Sequence, residues 1–108
     1  MLQSALSRYS GIVAANTCWE LIRQGAQILD VRSPTEFAQG HLSQAVNVPL
    51  NQLDSWIKQQ QNKQQPFVLY CAAGIRAQMG CDILRANGFG CAVNGGSLQD
   101  LLYSQPAA

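Results

Sequence analysis

The sequence contains little charge, few aromatic residues and no closely spaced pair of cysteines. Charged residues make up 12% of its 108 residues, and seven Lys plus Arg against six Asp plus Glu leave a net charge of +1. This balance provides no field that would attract a nucleic acid or an anionic membrane, so we expect neither as a partner. No apolar run approaches the ~20 residues needed to cross a bilayer, and the N-terminus has no cationic head followed by an apolar stretch. The composition therefore predicts a protein of the cytoplasm.

The chain has few closely spaced side chains that could bind a metal ion. The cysteines are spread far apart, and there is one histidine, His41. Zinc sites in proteins use cysteines and histidines at short spacings, so we expect no metal. In a reducing compartment the cysteines are expected to be free thiols. The four positions are Cys18, Cys71, Cys81 and Cys91.

The chain does have a high apolar fraction, 47%, arranged as short runs that alternate with helix signals. This length and composition predict one folded domain over residues 1–108. Strands that are apolar throughout and alternate with helices indicate an α/β fold, with a mostly parallel sheet and helices on both faces. In such sheets, ligands bind beyond the carboxyl ends of the strands. The predicted strands are Gln27–Arg32, Ala45–Val48, Phe67–Tyr70 and Cys91–Val93.

Helix boundaries are marked by capping residues, prolines and glycines. Thr17 and Glu20 have the spacing of a capping box, and so have Ser33 and Glu36, with Pro34 at the first helical position. Each pattern predicts a short helix that ends at the next glycine. The other predicted helices begin at Leu50, cover residues 76–87 with Met79, Gly80, Ile83 and Leu84 on one face, and follow Ser97 after a turn at Gly95 and Gly96.

One segment has the features of a reactive site. Cys71 and Arg76 flank a short loop between a strongly apolar strand and an amphipathic helix. The helix dipole and a curved loop of backbone N–H groups both favour a negative charge on the sulfur. Arg76 adds a fixed cation, and Gly74 permits a backbone geometry that a side chain would obstruct. The segment predicts a thiolate nucleophile. The alternative is that Cys71 is a small buried residue, as free cysteines often are.

Several motifs, in their order along the chain, resemble those of the rhodanese homology domain family. They are Leu29–Phe37, Gly40–Leu42, Ala45–Leu50, Val68–Arg76, Gly88–Phe89 and Asn94–Gly96. The resemblance extends over about residues 12–101. It implies a single α/β domain with a five-stranded sheet, in which about residues 12–103 form the core of the domain. It also implies a single-domain sulfurtransferase that carries sulfur as a persulfide on Cys71.

The resemblance implies a two-step reaction that needs no metal or organic cofactor. The Cys71 thiolate attacks the outer sulfur of thiosulfate or of another persulfide, and the bound sulfur then passes to cyanide or to a thiol, small or on a protein. Arg76 would pair with the anionic donor, and backbone N–H groups of the loop would hold it. The residues assigned to donor binding are Ala72, Ala73, Gly74, Ile75 and Arg76.

Three charged residues are expected to support the loop rather than to touch the donor. Asp30 would bond the backbone of a neighbouring loop, and Arg32 would pair with Glu36. His41 is expected to make a structural hydrogen bond, since a thiolate formed by electrostatics needs no general base. Cys18, Cys81 and Cys91 are expected to lie in the core or near the surface, and for Cys81 the alternative is a resolving role in the reaction. Trp19, Trp56 and Phe89 are expected in the core.

Two other functions fit parts of this pattern. Cysteine-dependent phosphatases and arsenate reductases have one more residue between the cysteine and the arginine than the four that separate Cys71 from Arg76. The shorter loop should suit a single sulfur-sized group. A non-catalytic binding or regulatory module is the second alternative, and the presence of both Cys71 and Arg76 argues against it. Ala77 departs from the serine that many members of the family carry, which removes one possible hydrogen bond to a persulfide.

Overall fold

Four parallel strands form one sheet in the part of the chain that the structure describes. The structure is a computed structural model that describes residues 2–6 and 9–107. The strands are β1 (Gln27–Asp30), β2 (Val46–Asn47), β3 (Phe67–Cys71) and β4 (Ala92–Ser97). The helices are α1 (Leu2–Leu6), α2 (Ala15–Arg23), α3 (Pro34–Ala38), α4 (Leu50–Lys58), α5 (Ile75–Ala86) and α6 (Leu98–Tyr103). The strands have the order β2-β1-β3-β4, and none of these described helices has the length and apolar character needed to span a membrane.

The predicted α/β fold with a parallel sheet is confirmed, but the described residues form four strands where the resemblance implied five. Ile12 makes a single parallel bridge with Asn94 on the outer edge of β4. Gly11, with a φ of 100°, precedes this bridge, and α2 begins shortly after it at Ala15. Because only a few extended residues lie between them, a longer pairing has no room to form.

Helices cover both faces of the sheet and divide the core into two layers. Every residue of β3 is buried, and its alternate side chains enter opposite layers, as a strand requires. Val68 and Tyr70 pack with residues of α2 and α6, whereas Leu69 and Cys71 pack with residues of α4 and α5. Cys71 therefore lies on the same side of the sheet as α5. The other residues expected in the core are buried or partly buried: Cys18, Cys81, Cys91, Trp19, Trp56 and Phe89.

The two predicted capping boxes have different outcomes. The Ser33 hydroxyl accepts the N–H of Glu36 at 3.2 Å, and the Glu36 carboxylate accepts the N–H of Ser33 at 3.0 Å, so this box is confirmed. The box at Thr17 is wrong, because α2 begins earlier at Ala15 and places Thr17 inside the helix. The helix buries Cys18 in its second turn, and packing of such an apolar face outweighs a local cap.

The buried face of α5 is only partly the predicted one. Gly80 and Leu84 are buried as expected, but Met79 is 53% exposed, and Ala77 and Cys81 face the core instead. A Cβ atom on Gly80 would lie 2.6 Å from Cδ2 of Leu69. The helix therefore approaches the sheet so closely that small side chains occupy its inner face, which a pattern of apolar residues does not reveal.

Strand β4 continues through the predicted turn at Gly95 and Gly96 as far as Ser97, so that prediction is wrong. The two glycines fit in the strand because its pairing with β3 is irregular and tight there: a Cβ on Gly95 would lie 3.1 Å from the carbonyl oxygen of Leu69. The predicted cap at Ser97 is confirmed, since its hydroxyl accepts the N–H of Asp100 at 3.1 Å and starts α6.

Candidate active site

Cys71 is the last residue of β3, and its sulfur lies under the loop that leads into α5. The sulfur accepts the backbone N–H of Gly74 at 3.0 Å and that of Ala77 at 3.4 Å. Both donors belong to the N-terminal end of α5, where N–H groups have no carbonyl partner within the helix. The N-terminus of α5 is thus directed at the sulfur of Cys71.

Backbone N–H donors favour an electron-rich, anionic sulfur, and the other cysteines lie in different surroundings. Burial raises the pKa of Cys18 and that of Cys81 to about 12, and it also raises the pKa of Cys91. The Cys18 thiol donates a hydrogen bond to the carbonyl oxygen of Val13, 3.6 Å away. Cys71 acts as an acceptor instead, so its surroundings are those that suit a nucleophile.

Gly74 gives the loop its shape. Its φ of +94° lies in the left-handed region, which residues with a side chain disfavour. A Cβ there would lie 2.9 Å from Cδ1 of Ile12 and 3.4 Å from Cα of Gly96. The loop therefore packs against the end of β4 through two glycine backbones. This close contact supports the Gly74 N–H in its position over the Cys71 sulfur.

Arg76 forms a two-pronged ion pair with Glu36 of α3. Its Nη1 and Nη2 donate to the two carboxylate oxygens at 2.7 and 2.9 Å. The same carboxylate accepts the N–H of Ser33, so one side chain both caps α3 and holds the guanidinium group beside the loop. The side chains of Arg76 and Glu36 are 36% and 34% exposed. The guanidinium group therefore remains within reach of an anion from solvent.

The prediction that Arg32 pairs with Glu36 is wrong, because Arg32 pairs with Asp30. Its Nε and Nη2 donate to the Asp30 carboxylate, with the shortest contact at 2.7 Å, and Nη2 also donates to the carbonyl of Gly40 at 2.7 Å. Asp30 bonds the N–H of Arg32 in its own segment rather than a neighbouring loop. The chain bends at Arg32 just after β1, and the Asp30 carboxylate binds both the N–H and the side chain of Arg32, while Glu36 binds Arg76.

Tyr70 also belongs to this buried polar group, and sequence reasoning missed it. Its hydroxyl accepts the N–H of Leu42 at 3.1 Å, and the guanidinium carbon of Arg32 lies 5.6 Å from the centre of its ring. Burial, followed by the nearby Asp30 carboxylate, raises the pKa of Tyr70, so the phenol stays neutral. A tyrosine immediately before Cys71 in an otherwise apolar strand was the signal that could have revealed it.

The single histidine has the structural contact expected of it. Nδ1 of His41 lies 2.7 Å from the carbonyl oxygen of Phe37, and the two rings stack with their centres 3.5 Å apart. Over residues 2–6 and 9–107, no three side chains of His, Cys, Asp or Glu are grouped so that they could hold a metal ion.

A shallow groove of about 440 Å³ lies beside Arg76, between the N-terminal ends of α3 and α4. Pro34, Pro49 and Leu50 contribute to its largely apolar lining, and Arg76 is the one charged residue among those that line it. An anion that enters this groove would meet a single positive charge next to the Cys71 loop.

The Glu36 carboxylate is expected to stabilise the fold in a pH-dependent manner. The bonds from Arg76, followed by the N–H of Ser33, lower the pKa of Glu36 from 4.5 to about 2. A carboxyl group with a lowered pKa stabilises the folded state above its unfolded pKa and loses this contribution as the pH falls through the folded value. We therefore expect the difference in unfolding free energy between wild type and Glu36→Gln, from urea titrations, to shrink as the pH falls from about 4.5 to about 2. Glutamine keeps an acceptor for the Ser33 N–H, so a difference that is constant with pH would contradict the role of the charge.

The parallel sheet, the cysteine at a strand–helix junction and the arginine that ends its loop define an α/β domain built around a cysteine loop. The family model of the Rhodanese-like domain matches residues 14–101. The chain therefore belongs to the rhodanese-like domain family.

Relatives among curated proteins include three sulfurtransferases. The chain is 31% identical over 74 residues to Thiosulfate sulfurtransferase PspE of Escherichia coli (strain K12), which covers 68% of this chain and 71% of that protein. It is 30% identical over 67 residues to a Sulfurtransferase of Allochromatium vinosum, 62% of each chain. The uncharacterized protein YqhL of Bacillus subtilis (strain 168) is 42% identical over 66 residues, 58% of this chain and 49% of that protein. The chain thus spans about half of the YqhL length.

Solved structures share the fold. The human single-domain sulfurtransferase TSTD1 superimposes with a TM-score of 0.77 at 21% identity, over 91% of this chain and 100% of that one. An E. coli rhodanese solved with anions gives a TM-score of 0.67 at 29% identity, over 75% of this chain and 94% of that one. The similarity to TSTD1 shows a shared fold alone, because the sequence identity is only 21%.

Proposed function

We propose that this protein is a sulfurtransferase that moves sulfane sulfur through a persulfide on Cys71. The observation that carries this proposal is the pair of backbone N–H groups, from Gly74 and Ala77, that donate to the Cys71 sulfur. Membership of the rhodanese-like family and the sulfurtransferases among the relatives support it. The donor would be thiosulfate or a persulfide, and the acceptor cyanide or a thiol on a small molecule or a protein.

In the first step the Cys71 thiolate attacks the outer sulfur of thiosulfate. A bond forms between Sγ and this outer sulfur, and the bond between the two sulfur atoms of thiosulfate breaks. Sulfite leaves with the electron pair, and the enzyme keeps an anionic persulfide. In the second step cyanide attacks the terminal sulfur, thiocyanate leaves, and the Cys71 thiolate is restored. Both steps balance without an oxidant, a reductant or a cofactor.

The loop would stabilise the negative charge in each state. The N–H groups of the α5 N-terminus would bond the thiolate sulfur and then the persulfide, as oxyanion-type donors do in other enzymes. Arg76 would attract the dianionic donor. Glu36 takes one N–H from each Nη of Arg76 and fixes the plane of the guanidinium group. Three further N–H groups of an arginine remain for an anion.

A cytoplasmic setting would suit this chemistry, because a reducing thiol pool keeps Cys71 free to react. The proposed reaction involves no metal, nucleic acid or membrane as a partner.

The intermediate itself provides the test. After incubation of the intact protein with excess thiosulfate, mass spectrometry without reductant is expected to show one added sulfur atom, located on the peptide that contains Cys71. Cyanide should remove it. The other three cysteines should stay unmodified, because burial raises the pKa of each and keeps its thiol neutral.

Two outcomes would contradict the proposal. A protein that turns over thiosulfate without sulfur ever appearing on Cys71 does not use the two-step scheme. Hydrolysis of an aryl phosphate in a parallel assay, with no transfer of sulfur to cyanide, would indicate a phosphatase. The Cys71→Ser protein is the control in both assays, since it has the same loop without the thiol.

A further inference from the structure

A buried amide lies directly beside the Cys71 loop, on the neighbouring strand β4. Asn94 is 3% exposed, and its backbone lies opposite Leu69 of β3. Its Nδ2 donates to the carbonyl oxygen of Gly74 at 2.9 Å, and its Oδ1 accepts the N–H of Gly96 at 2.9 Å. One side chain thereby ties the loop to the end of β4.

The carbonyl group that Asn94 holds belongs to the same residue whose N–H contacts the sulfur. Gly74 donates to Cys71 Sγ at 3.0 Å, and its carbonyl also accepts the N–H of Gln78 at 3.0 Å in the first turn of α5. Because a glycine has no side chain that restricts φ and ψ, the direction of its N–H depends on the bonds made by the two peptide groups that flank it. Asn94 supplies one of these bonds from outside the loop and the helix.

The amide of Asn94 is fixed by its other contacts as well. Its Nδ2 also donates to Oε1 of Gln78 at 3.3 Å, and that oxygen accepts the N–H of Gly11 at 2.9 Å. A polar network that is shielded from water and in which each group has a partner favours one geometry, and this one is partly buried. The hydrogen bond from Asn94 to Gly74 is therefore fixed by the other contacts of the Asn94 amide and by those of the Gly74 peptide groups.

We propose that Asn94 is a positioning residue for sulfur transfer. By holding the Gly74 carbonyl, it keeps the Gly74 N–H directed at the sulfur of Cys71, both in the thiolate and in the persulfide. It acts through Gly74 rather than by touching the reacting sulfur. This inference rests on the proposed function of Cys71 as the sulfur carrier.

The test compares Asn94→Ala with Asn87→Ala, a matched change at the opposite end of α5. Nδ2 of Asn87 donates to the carbonyl of Ile83 at 2.8 Å and to Asp54 at 3.1 Å. Both variants lose amide hydrogen bonds, so both should lower the melting temperature. We expect Asn94→Ala to reduce kcat/KM for thiosulfate at least about tenfold and Asn87→Ala to stay within about twofold of wild type, because only the first misplaces a donor to the reacting sulfur.

A second readout does not depend on turnover. The far-ultraviolet thiolate absorbance of Cys71 at neutral pH is obtained by subtracting the spectrum of the same protein that also carries Cys71→Ser. We expect this absorbance to decrease in Asn94→Ala and to be unchanged in Asn87→Ala, since the thiolate loses a well-placed N–H in the first variant alone. If wild type transfers no sulfur, the proposed function fails, whereas the absorbance still decides whether Asn94 positions a donor to the sulfur.

Asn94→Leu provides a second variant should the alanine variant fail to fold. Leucine nearly keeps the size of the side chain and adds no charge, but it has no N–H for the Gly74 carbonyl. The same loss of kcat/KM and of thiolate absorbance is expected. Wild-type values of both in either folded variant would overturn the proposal. An equal loss of both in Asn87→Ala would overturn it too, because it would reduce the effect of Asn94 to general stability.

Discussion

Replacement of Cys71 by serine is expected to abolish sulfur transfer and to leave the fold intact. Serine is only slightly smaller than cysteine. Its oxygen can accept the same hydrogen bonds from the N–H groups of Gly74 and Ala77 that the sulfur accepts. An alcohol is not ionised at neutral pH, however, and it forms no persulfide. The thiosulfate–cyanide activity should decrease at least about a thousandfold, as in other enzymes that lose their nucleophile. Steady-state assays measure the loss, and circular dichroism verifies the fold.

Cys91→Ser is the matched control for this experiment. Cys91 is also a buried free cysteine, but burial raises the pKa of its thiol, and it lies outside the loop. Its replacement should leave the activity close to that of wild type. Substantial activity in a folded Cys71→Ser protein would show that Cys71 is not the sulfur carrier.

Replacement of Arg76 by alanine is expected to have the second largest effect, mainly on the use of the anionic donor. The change removes the positive charge and also leaves the Glu36 carboxylate without its partner, so a free negative charge remains near the site. We expect KM for thiosulfate to rise about a hundredfold, as the loss of charge-assisted hydrogen bonds to the anionic donor implies. Lysine keeps the charge but lacks the planar fork, so Arg76→Lys should raise KM only about tenfold.

Two further variants separate the charge of Arg76 from its structural effect. Arg23→Ala removes the arginine of another arginine–glutamate pair, the exposed pair with Glu20 on α2, and should not change the kinetics. Adding Glu36→Gln to Arg76→Ala should recover part of the lost donor affinity, because it removes the unpaired carboxylate. Equal kinetics with thiosulfate for wild type, Arg76→Ala and Arg76→Lys would remove Arg76 from the mechanism.

Local sequence patterns determined most of the strands and helices and the place of the candidate site. The apolar run at Phe67–Tyr70 became the central strand, because side chains buried on both faces have to be apolar throughout. The helix predicted from Leu50 is present as α4, and the cap at Ser33 formed as expected. Cys71 follows the strand directly, so its place at the carboxyl edge of a parallel sheet followed from the chain order. These features depend on neighbours in sequence.

The tertiary structure alone decided which groups meet across the fold. Glu36 pairs with Arg76, forty residues away, rather than with the nearby Arg32. Asn94 reaches Gly74 from a neighbouring strand, in a contact that the sequence did not reveal. Spacing along the chain determines which face of a helix or strand a side chain occupies, but its partner depends on the order of the strands and on how closely each helix packs against the sheet. The candidate nucleophile Cys71 was therefore readable from the sequence, whereas the bonds that orient its surroundings arise only when distant segments pack together.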